Sequence, residues 1–234
     1  ERIAKISLSV EGMPIISGSD VILVMDVSGS MSTNNRIGTA KNASREFIEK
    51  LFEENNKYNN RVAFIPFSHG YNSGGSGSNE VAAATEGSVN FSYDEELLNS
   101  HVNATWANGG TNYSAALKKA IDYADSRLEG EESRPLYVVF MSDGAPGLSG
   151  NSPNDTNWNG TNQAEDLMED YDATIYTVGI QLSGSAPAAL EAISNNVNGQ
   201  PLYQNVSNMS HLAPVLEEIA GKIKIAGTEA VFKD

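Results

Sequence analysis

Uninterrupted apolar runs alternate along this chain with stretches of helical period. The clearest run is Val21-Ile22-Leu23-Val24-Met25, which has no polar break and reads as a strand buried on both faces, as in the middle of a parallel sheet. Residues 61–68 (Val62, Ala63, Phe64, Ile65, Phe67) and 135–141 (Leu136, Tyr137, Val138, Val139, Phe140) repeat the pattern, and 173–180 and 202–206 add two more strands. Between them the period becomes helical. Ile37, Ala40, Ala43, Ser44, Phe47, Ile48 and Leu51 follow a capping Asn34 or Asn35, and Leu117, Ala120, Ile121, Ala124 and Leu128 form a second stripe. A third stripe holds Ala164, Leu167, Met168 and Tyr171. Residues 187–193 give a fourth helix, and residues 211–225 a last one through Leu212, Val215, Leu216, Ile219 and Ile223. Strands alternating with amphipathic helices predict an α/β fold: a doubly wound, mostly parallel central sheet flanked by helices on both faces.

The remaining segments are less regular. Residues 2–10 read as an exposed strand, 81–91 as a short edge strand or hairpin, and 228–233 as a closing strand able to pair with the first. A polar stretch leads into Trp106. Residues 71–79, all Gly, Ser, Asn and Tyr, predict a mobile surface loop, and 147–162 an Asn-rich one. No internal repeat occurs. The reading is one domain over 17–226, with strand-like tails at 1–16 and 227–234.

The first strand ends abruptly in oxygen. Asp26, Ser28 and Ser30 fall at alternate positions, so in an extended loop their side chains point the same way, and Gly29 lets the backbone fold around them. Hard oxygen donors without Cys or His suit Mg2+, Mn2+ or Ca2+. The same fragment also fits an Asx-turn followed by a helix cap. Two further loops stand where a doubly wound sheet gathers its ligands, beyond the carboxyl ends of the strands. Gly109-Gly110-Thr111 precedes a helix and Asp143-Gly144 follows a strand. Singly, Thr111 is also a plain helix cap and Asp143-Gly144 a plain turn; together, the five donors and some waters fill an octahedron around Mg2+.

Composition narrows the partners. A formal charge of −15 and a pI near 4.5 argue against nucleic acid and anionic membrane surfaces. The 234 residues include no Cys, so no disulfide is used. No apolar stretch is long enough to span a bilayer, and no segment of the given sequence reads as a signal peptide. The chain begins at Glu1 and is read as a fragment of a longer polypeptide.

The set Asp26-x-Ser28-x-Ser30, Thr111 after Gly109-Gly110, and Ser142-Asp143-Gly144 resembles the metal-ion-dependent adhesion site of the von Willebrand factor A family. The resemblance covers residues 20–225. The Val-Met-Asp-Val-Ser-Gly-Ser-Met and Thr-Asn-Tyr-Ser-Ala-Ala-Leu segments are most similar to A domains of bacterial surface and pilus-tip adhesins. It implies a divalent cation, Mg2+ first, held directly or through water by Asp26, Ser28, Ser30, Thr111 and Asp143. It also implies a protein or extracellular-matrix partner that supplies an Asp or Glu carboxylate, and a place at the cell surface. Insertions are modest compared with long-armed adhesins, which leaves collagen-like specificity open. The family further implies a C-terminal helix that slides on binding; nothing in the sequence of residues 211–225 shows mobility, and they read as a packed, static helix.

Other signals carry less. Asp155, Asn157, Asn159 and Asp166 have the spacing of a calcium loop, but Asn162 stands where an apolar residue belongs and Asp166 where Glu is usual. His69, His101 and His211 lack metal-ligand spacing and fit surface or packing roles. A metal-dependent hydrolase of the aspartyl-phosphate kind needs a second Asp two residues after the first; Ser28 stands there and removes the proton shuttle. The chain therefore reads as a binding module and not an enzyme. An intracellular A domain of a chaperone or chelatase assembly is the alternative setting.

Overall fold

The computed structural model describes residues 18–53, 59–69, 85–127, 134–147, 158–184 and 186–226. The two strand-like tails, the loop over 71–79, most of the Asn-rich loop, and Leu128, Asp155 and Asn157 lie outside the described residues. Six strands form the main sheet: β1 (Asp20–Asp26), β2 (Arg61–Phe67), β3 (Val89–Ser92), β4 (Leu136–Ser142), β5 (Thr174–Ile180) and β8 (Tyr203–Val206), in the order β3-β2-β1-β4-β5-β8. All neighbours are parallel except the β2–β3 pair at one edge. Two-residue strands β6 (Asn196–Val197) and β7 (Gln200–Pro201) make a separate hairpin, too short for a sequence pattern to announce.

Both faces are covered, for a reason visible in β1. Val21, Leu23 and Met25 point to one side, against α1 (Arg36–Leu51), α2 (Glu95–Ala104) and α6 (Leu212–Ala226). Ile22 and Val24 point to the other, against α3 (Tyr113–Asp125), α4 (Thr161–Asp170) and α5 (Ala186–Ile193). Every residue of β1 is buried. The chain leaves β1 toward β2 and later returns on the other side at β4. The reversal of strand order therefore falls beside the carboxyl end of β1, the place where such sheets bind ligands.

Two local readings need correction. The polar stretch before Trp106 contains α2: Asp94 accepts from the Leu97 N–H at its start, and Leu98 and Val102, one turn apart, are buried. A 3-10 turn over Gly29–Asn35 precedes α1, and neither Asn34 nor Asn35 caps it. Both adopt left-handed backbone angles, with φ of 50° and 58°, and Asn35 makes no capping bond. Of the predicted edge segment, Val89–Ser92 is the strand.

Candidate metal centre

β1 carries Asp26 to the sheet's upper edge, where it is fully buried. One oxygen, Oδ1, accepts the Ser28 N–H at 2.7 Å, so the Asx-turn is real. The cap that should accompany it is absent: Ser28 occupies the position before the 3-10 turn, but its hydroxyl makes no capping bond. That hydroxyl instead lies 3.0 Å from the Ser30 hydroxyl, and Ser30 donates to Asp143 Oδ1 at 2.6 Å. Ser142, the residue before Asp143, donates to Asp26 Oδ2 at 2.5 Å. Asp26, Ser28, Ser30 and Asp143 thus form one continuous cluster across the switch point. Ser28 and Asp143 are nearly buried and Ser30 is exposed, so the cluster opens on Ser30's side.

Thr111 is beside this cluster, not inside its hydrogen-bond chain. The cap of α3 is Asn112, which accepts the Ala115 N–H at 2.9 Å. Thr111 is relieved of capping, and its own backbone exchanges two bonds with Gly147 (3.0 and 2.9 Å) in the loop after Asp143. The preceding glycine pair is fastened to the first loop, with Gly29 N–H donating to the Gly109 carbonyl at 2.9 Å and Asn108 N–H to the Val27 carbonyl at 2.8 Å. Three loops distant in the chain are therefore tied by their backbones.

The electrostatics are unusual at Asp26. Burial, then the negative charge of Asp143, push its carboxyl from 3.8 up to about 7, although the bonds from Ser142 and Ser28 pull it down. Phe67, Tyr113 and Phe140 pack under it, with ring centroids 4.8 to 5.9 Å apart. Burial also raises the Tyr113 phenol, which stays neutral and donates to the Gly144 carbonyl at 2.6 Å, fixing the loop after Asp143.

One functional residue escaped the sequence reading. Arg36 Nη1 lies 2.8 Å from Asp143 Oδ2, and its Nε donates to Gln181 Oε1 at 2.8 Å. Gln181 follows β5 and in turn bonds Val206 and Ser207, just before α6. Nothing in the spacing announces Arg36; the 3-10 turn swings it back over Asp143.

Among the described residues no three His, Cys, Asp or Glu side chains gather as metal ligands. The cluster's chemistry is two carboxylates plus hydroxyls, a donor set that fits a small hard cation and suits neither a soft metal nor a redox one. Arg36 is paired with Asp143, whereas Asp26 meets only neutral donors. Of the calcium-loop residues, Asn159 Oδ1 is taken by the N–H and hydroxyl of Thr161, and Asp166 lies exposed on α4. His69 stacks on Trp158 (centroids 4.4 Å apart), His101 donates to the Gly87 carbonyl, and His211 is exposed. No helix among the described residues is long and apolar enough to cross a membrane.

Known proteins place this architecture. The vWF domain of the type V pili tip protein Mfa5 from Porphyromonas gingivalis superposes with a TM-score of 0.70 at 15% identity, over 95% of this chain and 100% of that one. The pilus adhesin SpaC from Lactobacillus rhamnosus GG gives 0.68 at 16% identity, over 88% of this chain but 30% of its own length. The PilB minor pilin from Streptococcus sanguinis gives 0.66 at 15% identity, over 97% and 65%. At such identities the likeness is one of fold. No curated protein matches the sequence. The profile of the von Willebrand factor type A domain matches residues 20–220, and the chain belongs to that family.

Proposed function

We propose that the chain is a protein-binding module that grips a partner's Asp or Glu carboxylate through a divalent cation. Asp26, Ser28, Ser30, Thr111 and Asp143 would hold the ion, Mg2+ in preference to Mn2+ or Ca2+. The observation that carries this reading is Asp26 itself: a buried carboxylate held by neutral donors alone, next to a second carboxylate and two hydroxyls that no helix cap consumes. The bound cation supplies positive charge at a position the protein's own side chains leave short of anions, and a ligand carboxylate completes it. The chain's residues do the rest. Ser142 and the Ser28 N–H orient Asp26, Ser30 fixes Asp143, and the backbone ties at Gly29 and Gly147 keep the three loops in register.

Its likeness to the pilus proteins SpaC, Mfa5 and PilB favours adhesion at a bacterial surface as the setting, as part of a larger exported polypeptide. The test uses immobilised chain and a panel of extracellular-matrix proteins, in Mg2+, in EDTA, and after the panel's carboxylates have been amidated. The expected outcome is binding in Mg2+ that both other treatments abolish. Binding that persists in EDTA contradicts the proposal. A chain that takes up Mg2+ yet ignores every matrix protein favours the intracellular assembly module.

A further inference from the structure

A cavity of about 230 Å3 opens beside the cluster. Its walls include Val27, Pro66 and His69 at the end of β2, Ala104 and Trp106 at the end of α2, and Asn108. Val27 stands between Asp26 and Ser28, so the cavity and the ligand cluster share a wall one peptide thick, with consecutive Cα atoms about 3.8 Å apart. That wall is held firmly. Besides the Asn108 to Val27 bond, His69 and Gly110 exchange two backbone bonds of 2.8 and 3.1 Å. Gly109 has φ +78°, and a Cβ there would lie 1.8 Å from the His69 carbonyl oxygen, so only glycine permits the approach.

Apolar exposure is concentrated here. Four large hydrophobic side chains are exposed among the described residues, Tyr93, Leu97, Trp106 and Val197; Trp106 lines the cavity, and Tyr93 and Leu97 lie earlier in the same segment, whose end from His101 to Trp106 borders it. Leu97, His101 and Ala104 recur at helical spacing, so one face of α2 leads from Leu97 into the cavity. Size limits the occupant: pockets for free small molecules run to roughly 300–1,000 Å3, and this one is below that range, suited to a single side chain. Chemistry argues for the same occupant. Every protein surface carries carboxylates, so a cation alone selects no partner, and a chain of net charge −15 gains no long-range attraction to an acidic one. Discrimination has to come from contact next to the ion, and an apolar anchor in a pocket is the usual means.

We propose that this cavity is a specificity pocket, which receives one large aromatic or aliphatic side chain from the same polypeptide that presents the carboxylate. The proposal rests on the metal reading above. Its test is a displayed library of linear peptides with a fixed central Asp and random flanks, selected on the chain in Mg2+ and eluted with EDTA. The enriched peptides are then measured against Ala104→Arg, which fills the cavity, and Trp106→Ala, which removes part of its wall. Mg2+ calorimetry and thermal unfolding accompany each variant. The expected result is an apolar residue at a fixed offset within about four residues of the Asp, as an extended strand of about 3.3 Å per residue would reach. Peptide affinity should fall about tenfold in Ala104→Arg, with Mg2+ binding and the melting temperature unchanged. Enriched peptides without apolar preference, or with the same affinity for both variants, overturn the pocket and leave the metal reading standing. A chain that binds Mg2+ but yields no EDTA-eluted peptide overturns it likewise. A chain that binds no Mg2+ removes the metal reading and the pocket with it.

Discussion

Asp20 and Asp26 close the two ends of one strand, and both are fully buried. Their surroundings differ completely. Asp20 is ringed by guanidinium groups: Arg61 contributes Nε and Nη2 at 2.9 and 2.7 Å, Arg134 its Nε at 2.7 Å, and Arg127 its Nε at 3.1 Å. Asp26 receives one backbone N–H and one hydroxyl, and the charge that acts on it is that of the like-signed Asp143. A buried carboxylate saturated with cations is a fixed part of the fold. One held only by neutral donors carries its charge at a cost, as its raised protonation equilibrium reflects, and a bound cation would relieve that cost. β1 thus carries a structural acid at one end and the acid of the proposed metal site at the other.

The largest expected effect breaks the structural end. Asp20→Ala removes the carboxylate that three guanidiniums share and should cost about 3–5 kcal/mol in urea unfolding, while Mg2+ binding by the folded fraction is retained. A loss under about 1 kcal/mol would mean that the arginines are satisfied elsewhere.

pH sharpens the contrast. Asp26's folded value, about 7, lies above its unfolded one of 3.8. Its stabilising contribution in the metal-free chain is therefore complete below about pH 4 and is lost as pH rises through about 7. Mg2+ requires the ionised form, so the Mg2+-induced rise in melting temperature should grow from about pH 5 to about pH 8. A rise independent of pH across that window would remove Asp26 from the binding step.

A smaller effect is expected at Arg36. Its guanidinium sits on Asp143 and opposes a nearby dication, so Arg36→Gln should tighten Mg2+ binding by about tenfold, measured by calorimetry. Weaker binding would instead make Arg36 the residue that positions Asp143.

Much of this was legible before any coordinates. β1, β2 and β4 announce themselves because strands buried on both faces tolerate no polar residue, and the oxygen-bearing residues at their ends follow directly. The helix α2 did not, because only Leu98 and Val102 of its ten residues are buried; its readable signal was Asp94 followed by Glu95 and Glu96. The capping alternative at Thr111 falls one residue short of the cap, Asn112. Both Thr111 and Asn112 can cap, and the choice depends on where the loop is tied to Gly147. Arg36 was invisible as a site residue for a related reason, and so was the bond from Ser142, a motif residue, to Asp26: these contacts cross from one loop to another, and local spacing holds no record of them.

The most direct test compares Mg2+ binding and urea unfolding in the wild-type chain and in Asp26→Asn, which preserves the side chain's shape and the bond from the Ser28 N–H. The account predicts a single Mg2+ site in the wild type and none in the variant, and a metal-free variant at least as stable as the wild type at about pH 8. An Asp26→Asn chain that still binds Mg2+ like the wild type would contradict it.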